Sequence, residues 1–330
     1  MKKIILVALA AVGLAACATE DTIVTPKGNA IAFGDAFVDN ATKAIYESNN
    51  TLKEFQVWGN VVATGSENTP VALYGNTGAK VYGSEYNKLW NCDVVRYWTP
   101  SCTFKFVAIA HATSVGGLED GNGVPTTISY TADGSSDLLL DTITATTNES
   151  SVPQSGVKTI EDGTTNVVAF TMEHLLSRVA IKFTGASELH EDYSYNVKDI
   201  KIADAYAQGT YTIGTGWTST SGDMTDLAFA EVSGVKANTS VASTNAYVII
   251  PGAAPLTITF NAVVVFKGTE ISKIPYTITL NKTADDTEKT LVAGHSYTFA
   301  VTLPKPGMPI QFAVETVSGF TSEGGDVTIQ

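Results

Sequence analysis

Pro309-Ile310-Gln311-Phe312-Ala313-Val314-Glu315-Thr316-Val317 reads as a β-strand. Ile310, Phe312 and Val314 fall on one face, and Gln311, Ala313 and Glu315 on the other. That period of two marks a strand with one apolar side. Pro304-Lys305-Pro306-Gly307 stands just before it, poor in amide donors and rich in turn chemistry. The strand therefore hangs from a stiff joint that would let it swing away. A tethered strand with one apolar face is suited to completing the sheet of another molecule. On this reading residues 309–330 are a donor segment, with Ile310, Phe312 and Val314 as its apolar teeth.

Working back from that strand, the same alternation recurs along the chain. Residues 30–38 carry Ile31, Phe33 and Phe37 on one face, and 52–63 alternate around Phe55, Val57 and Val61. Further strands are predicted at 71–74, 80–82, 103–110, 127–131, 167–172 and 179–183. In the second half they fall at 197–203, 209–213, 246–250, 256–266, 271–280 and 296–303. Residues 112–165 are rich in Gly, Asp, Asn, Ser and Thr, and apart from 127–131 they read mostly as long loops. Residues 173–178 read as one helical turn or a kink between sheets. No segment of ten or more residues shows a helical period, so the fold class is all-β: two β-sandwiches, over 30–175 and 176–330. Each is long enough to bury its own core.

Composition limits the functions open to such a chain. It carries 20 basic and 33 acidic residues, a net charge of −13, with no basic run, so it lacks the means to neutralise phosphates and no nucleic-acid partner is expected. Nucleotide-loop, zincin, Cys-x-x-Cys and Gly-x-Ser-x-Gly motifs are all missing. His111, His174, His190 and His295 are scattered without metal-ligand spacing. Glu119-Asp120-Gly121-Asn122-Gly123 offers oxygens near a glycine but does not fit a twelve-residue calcium loop. Trp58, Trp90, Trp98 and Trp217 could stack sugars, although aromatic residues of a sandwich more often pack its core. The expectation is a protein that is not an enzyme, with no cofactor and no metal.

The N-terminal stretch carries an address. Met1-Lys2-Lys3 is a charged start and residues 4–14 are a short apolar run, the form of a secretory signal too short to span a bilayer. It ends in Leu14-Ala15-Ala16-Cys17, which resembles the bacterial lipoprotein box. The resemblance implies removal of residues 1–16, lipidation of Cys17 and a tether over 17–29 leading to the outer membrane. Glu20-Asp21 is similar to surface-export signals of such lipoproteins. Cys92 and Cys102 flank Tyr97-Trp98-Thr99-Pro100; the export route leaves open either a disulfide or two separate thiols. Asp21-Thr22-Ile23 and Asp141-Thr142-Ile143 resemble a short O-glycosylation sequon.

Several short motifs, taken in order, resemble the fimbrillin family of Bacteroidales, the pilins of type V pili. They are Ala41-Thr42-Lys43-Ala44 after the first strand, and Trp98 followed by Phe104-Lys105-Phe106-Val107-Ala108. Next come Ile128-Ser129-Tyr130 with Asp137-Leu138-Leu139, and Phe170 with His174-Leu175-Leu176-Ser177-Arg178-Val179. Leu291-x-Ala293-Gly294 leading to Tyr297-x-Phe299-x-Val301 closes the series. The resemblance implies two tandem transthyretin-like sandwiches. It implies a surface trypsin-like protease cutting after a basic residue beyond the first strand, here Lys43 where the family usually has Arg. Cutting would release the strand bearing Ile31, Phe33 and Phe37, and the C-terminal strand of another fimbrial subunit would take its place. The mature protein would then reside in extracellular fimbriae. The alternative is a surface lipoprotein or pilus-tip adhesin whose 112–165 loops bind a host glycan or protein.

Overall fold

The computed structural model describes residues 29–38, 52–65, 69–83, 88–118, 122–160, 163–224, 227–252, 256–279, 291–306 and 311–316. β6, Cys102–Ala110, shows why this sequence builds sheets. Phe104, Phe106, Ala108 and Ala110 enter one apolar cluster, while Val107 and Ile109 enter another. The strand thus begins buried on one face, with Lys105 outward, and ends buried on both. That is why its alternation dissolves into the continuous run Val107-Ala108-Ile109-Ala110.

The first half comprises β1 (Ala32–Val38), β2 (Glu54–Ala63), β3 (Val71–Ala72), β4 (Ala79–Tyr82), β5 (Leu89–Cys92) and β6. It continues through β7 (Ser114–Gly116), β8 (Thr127–Thr131), β9 (Leu139–Thr147), β10 (Pro153–Ser155) and β11 (Val167–His174). Seven of these strands form a closed circuit of ladders, β9-β11-β1-β5-β4-β2-β6 and back to β9. The core inside it is drawn from residues 31–172, with Phe33, Phe55, Trp90, Trp98, Phe104, Phe106 and Phe170 at its centre. Closing the circuit gives each of its seven strands a neighbour on both sides, leaving β3 and β10 as the terminal strands of that sheet.

The second half comprises β12 (Ser177–Gly185), β13 (Tyr193–Ala203), β14 (Ala205–Thr212), β15 (Gly216–Met224), β16 (Leu227–Ala228) and β17 (Val232–Val235). It continues with β18 (Ser240–Ala242), β19 (Tyr247–Ile249), β20 (Thr257–Phe266), β21 (Thr269–Thr279), β22 (Ser296–Leu303) and β23 (Gln311–Thr316). One sheet runs β18-β12-β22-β23 and another β16-β13-β20-β21. Between them lies a core drawn from residues 179–303. The two halves share a device. β1 pairs in parallel with β11, and β12 in parallel with β22, so each opening strand lies beside a late one.

A fourth sheet, β15-β14-β8-β7, joins strands from both halves, because β8 of the first pairs with β14 of the second. It covers a third cluster that includes Val107, Ile109, Ile128, Tyr130, Leu175, Leu176 and Ile250. The chain crosses between halves at His174-Leu175-Leu176-Ser177, a kink with both leucines buried. The indole Nε1 of Trp217 donates to the Leu175 carbonyl at 2.8 Å, pinning the crossing.

Two expectations are corrected here. Residues 139–147, read as loop, are β9, paired with β6 from Thr103↔Thr146 to Ala110↔Leu139. Residues 114–116 and 153–155 also form strands. The first-strand alternation is broken as well: a register shift lies between Gly34 and Phe37. Phe33 is in register with the buried Val168, but Phe37 is in register with the exposed Thr171, and Val38 with the buried Met172. Counting by twos along a strand holds only where the register is unbroken.

Candidate functional site

β1 is the link on which the closed circuit depends. On one side it pairs with β11 at Ala32↔Val167, Phe33↔Val168, Gly34↔Ala169, Phe37↔Thr171 and Val38↔Met172. On the other it pairs with β5 at Phe33↔Trp90 and Gly34↔Leu89. The residues before it are held too. Ile31 N donates to Arg96 O at 2.8 Å, Trp98 N donates to Asn29 O at 2.9 Å, and Asn29 Nδ2 donates to Trp98 O at 3.0 Å. Without this segment, β11 and β5 would each present an unpaired edge to a vacant slot.

The slot is shaped for a large apolar side chain. Phe33 is 1% exposed, stacked on Phe170 at 5.9 Å between ring centres, with Phe106 edge-on at 5.9 Å and Tyr74 at 6.3 Å. Ile31 enters the same core. On the opposite face, Ala32 packs with Leu89, Ile160 and Val167. Gly34 allows the close approach of β11 and β5, since a Cβ there would stand 2.9 Å from Val167 Cγ1 and 3.0 Å from Lys88 O.

At the other end of the chain, β23 lies at the margin of its sheet, held by one ladder. It pairs antiparallel with β22 from Tyr297↔Thr316 to Thr302↔Gln311. Phe312 is in register with Val301 and Val314 with Phe299, both core residues. Among the described residues no strand pairs with its outer side. Its root is firm: Tyr195 Oη donates to Pro304 O at 2.7 Å, and Ala186 N donates to Leu303 O at 2.9 Å. Burial, with Tyr276 nearby, pushes the Tyr195 phenol up to about 12, so it stays a donor at neutral pH. Beyond the buried Pro304 the chain surfaces at Lys305.

Of the residues singled out in the sequence, Cys17, Lys43 and Ile310 lie outside the described residues, as do Glu119, Asp120 and Gly121. Cys92 and Cys102 are both free thiols. The ladders explain why. Cys92 lies opposite Val81, and Val81 opposite Phe55; Cys102 lies opposite Ala63. Eight residues of β2 separate those positions, ~26 Å at the usual rise per residue and far beyond disulfide reach. Their Sγ atoms instead lie 3.2 Å from the carbonyl oxygens of Val94 and Pro100.

The other candidate sites resolve into packing. Trp58, Trp90 and Trp98 are buried, and Trp217 packs against Tyr130 and Tyr211. Among the described residues no group of three or more His, Cys, Asp or Glu is placed to hold a metal. One polar pair was not foreseen: His174 Nδ1 is hydrogen-bonded to the Asp137 carboxylate, both buried at the crossing between halves. Asp137 and His174 are 37 positions apart and no spacing rule connects them.

Comparison with known proteins fits this architecture. A fimbrial protein of Bacteroides vulgatus is similar in structure, with a TM-score of 0.56, 16% identity, and 88% of this chain and 99% of that chain covered. A crystallised Bacteroides uniformis protein described as a putative cell adhesion protein gives a TM-score of 0.50 at 14% identity, covering 87% and 98%. No curated protein sequence matches the chain. The family model for fimbrillin-like proteins matches residues 42–323, and the chain belongs to that fimbrillin-like family.

Proposed function

We propose that this chain is a structural subunit of a cell-surface fimbria, exported as a lipoprotein on Cys17 and matured by cleavage after Lys43. Cleavage there would release residues 17–43, and with them all of β1. Residues 309–330 of a second subunit would fill the slot between β11 and β5. The observation that carries this reading is the position of β1: among the described residues it is the strand nearest the N-terminus, and it closes the circuit. Opening the slot uncovers ladder groups on both sides and the pocket of Ile31 and Phe33. Refilling that pocket regains roughly 1.5–3 kcal/mol for each large apolar side chain, besides the ladder bonds. A contact of this kind joins the tail of one copy to the head of the next and does not close on itself, so it grows a filament. A donor held by one ladder favours this reading over a freestanding adhesin. The expected partners are other fimbrial subunits, a surface protease of trypsin specificity, and the membrane lipid of the precursor.

Purified protein lacking residues 1–17 is to be treated with trypsin and followed by gel and electron microscopy. Wild type is expected to form ladders and fibres. Lys43→Gln should delay cleavage and assembly together, while removal of 309–330 or Phe312→Asp should leave a cut, folded monomer. Fibres from protein lacking 309–330 would rule the donor role out.

A further inference from the structure

The strand directions fix where a donor must come from. β11 runs from Val167 to His174, beside the crossing into the second half. β1 is parallel to it, so the Ala32 end of the slot is the end far from the crossing. β22 is parallel to β12 and ends at Leu303 opposite Gly185, far from the crossing at Ser177. The mouth of the slot and the root of the donor therefore each lie at the end of their own half away from the crossing. Entry from the Val38 end would instead drive the donor's body against the subunit's own second half.

The surface around the Ala32 mouth is unusually apolar. Among the described residues seven large apolar side chains are exposed, and four of them gather there: Val71 at 64%, Val95 at 55%, Tyr97 at 58% and Val152 at 42%. Tyr97 pairs with Ala30 immediately before β1. Val71 lies opposite Val61, two positions short of the Ala63↔Cys102 pair. Val152 sits beyond the end of β9, in the turn where Ser101 N bonds Asn148 O. Arg96, between Val95 and Tyr97, bonds the Leu73 carbonyl and so ties that segment to the one bearing Val71.

The geometry points to this patch as the seat for the far end of a second copy's C-terminal half, with the donor strand running in the direction of the departed β1, parallel to β11. The inference rests on the strand-exchange reading. Pro309 is five positions beyond Pro304, ~17 Å when fully stretched. A donor strand lodged in the slot thus holds its own domain against the mouth, where exposed apolar surface is the ground on which such a body would settle. Val71, Val95, Tyr97 and Val152 then pass from solvent into the contact between subunits.

The test uses trypsin-cut subunit carrying Val95→Asp and Val152→Asp together, alongside wild type. A synthetic 309–330 peptide, which has no domain to dock, serves as the probe of the slot alone. The expected result is elongation slowed by about tenfold or more, as for loss of an interface anchor, with peptide affinity unchanged. Elongation at the wild-type rate would overturn the docking patch while leaving strand exchange intact. Wild type that neither elongates nor binds peptide would overturn both. Direction is read by cross-linking to Val95→Cys in a background with Cys92→Ala and Cys102→Ala. A peptide with cysteine at its N-terminal end should cross-link, and one with cysteine at its C-terminal end should not; the reverse pattern overturns the parallel orientation.

Discussion

Joining β23 to β22 with an engineered disulfide is expected to abolish fibre formation by the cut subunit, and reduction to restore it. Ala300 and Ala313 are directly opposite in the antiparallel ladder. Opposed residues of such a ladder have Cα atoms about 4.5–5.5 Å apart, within the range a disulfide spans. Ala300→Cys with Ala313→Cys therefore adds a bond without moving the backbone. Oxidised, the pair holds residues 311–316 at home and no donor is available. Oxidised wild type, with its native Cys92 and Cys102, should assemble normally because those thiols are too far apart to pair. The readout is the fibre yield after trypsin, with and without reductant. Fibres from the oxidised pair would show that β23 never leaves β22. This experiment addresses a tension in the fold: the segment proposed for a neighbour is engaged in its own subunit, and donation has to break that ladder first.

The second large effect is on stability. Phe33→Ala should lower the unfolding free energy of the uncut protein by about 3–5 kcal/mol, the usual cost of emptying a packed aromatic site. Phe33 is 1% exposed and meets Phe170, Phe106 and Tyr74, so little can collapse into the gap. After cleavage the same substitution should have no effect, because residue 33 departs with the released segment. Urea unfolding of uncut protein and peptide binding by cut protein separate the two predictions. A loss below ~1 kcal/mol would mean that β1 is not integral to the first core.

Much of the fold was legible because side-chain alternation survives wherever a strand has one wet face. β12 is a clear case, with Val179, Ile181 and Phe183 buried and Ala180 and Lys182 half-buried. β9 escaped because its outward positions are Thr142, Thr144 and Thr146, and its inward ones include Asp141 and Ala145. Its apolar signal is therefore faint, although Asp141 is fixed by accepting from Thr171 N at 2.6 Å. Phe37 was grouped with Phe33 by counting in twos, and a register shift between Gly34 and Phe37 interrupts that count. The sheet joining β8 to β14 was invisible for another reason. Ile128 and Tyr211 pair across 83 positions, and local patterns carry no record of such partners. The tether, the cleavage position and the signal depend on motif resemblance, not on packing, so the fold neither adds to nor subtracts from them. The slot itself could be outlined from residues 30–38, but only the ladder order shows that β1 is the link whose removal opens a circuit.

Hydrogen exchange along β11 is the most direct measure of the central claim. Amides of Val168, Phe170 and Met172 should be protected in the uncut protein, become unprotected when trypsin releases β1, and regain protection when the 309–330 peptide is added, whereas Val167 N and Thr171 N bond Lys158 O and the Asp141 carboxylate and serve as internal controls. A peptide bearing Phe312→Asp should not restore it. If these amides stay protected after the first strand is gone, or stay open in the presence of saturating peptide, the slot is not the seat of assembly.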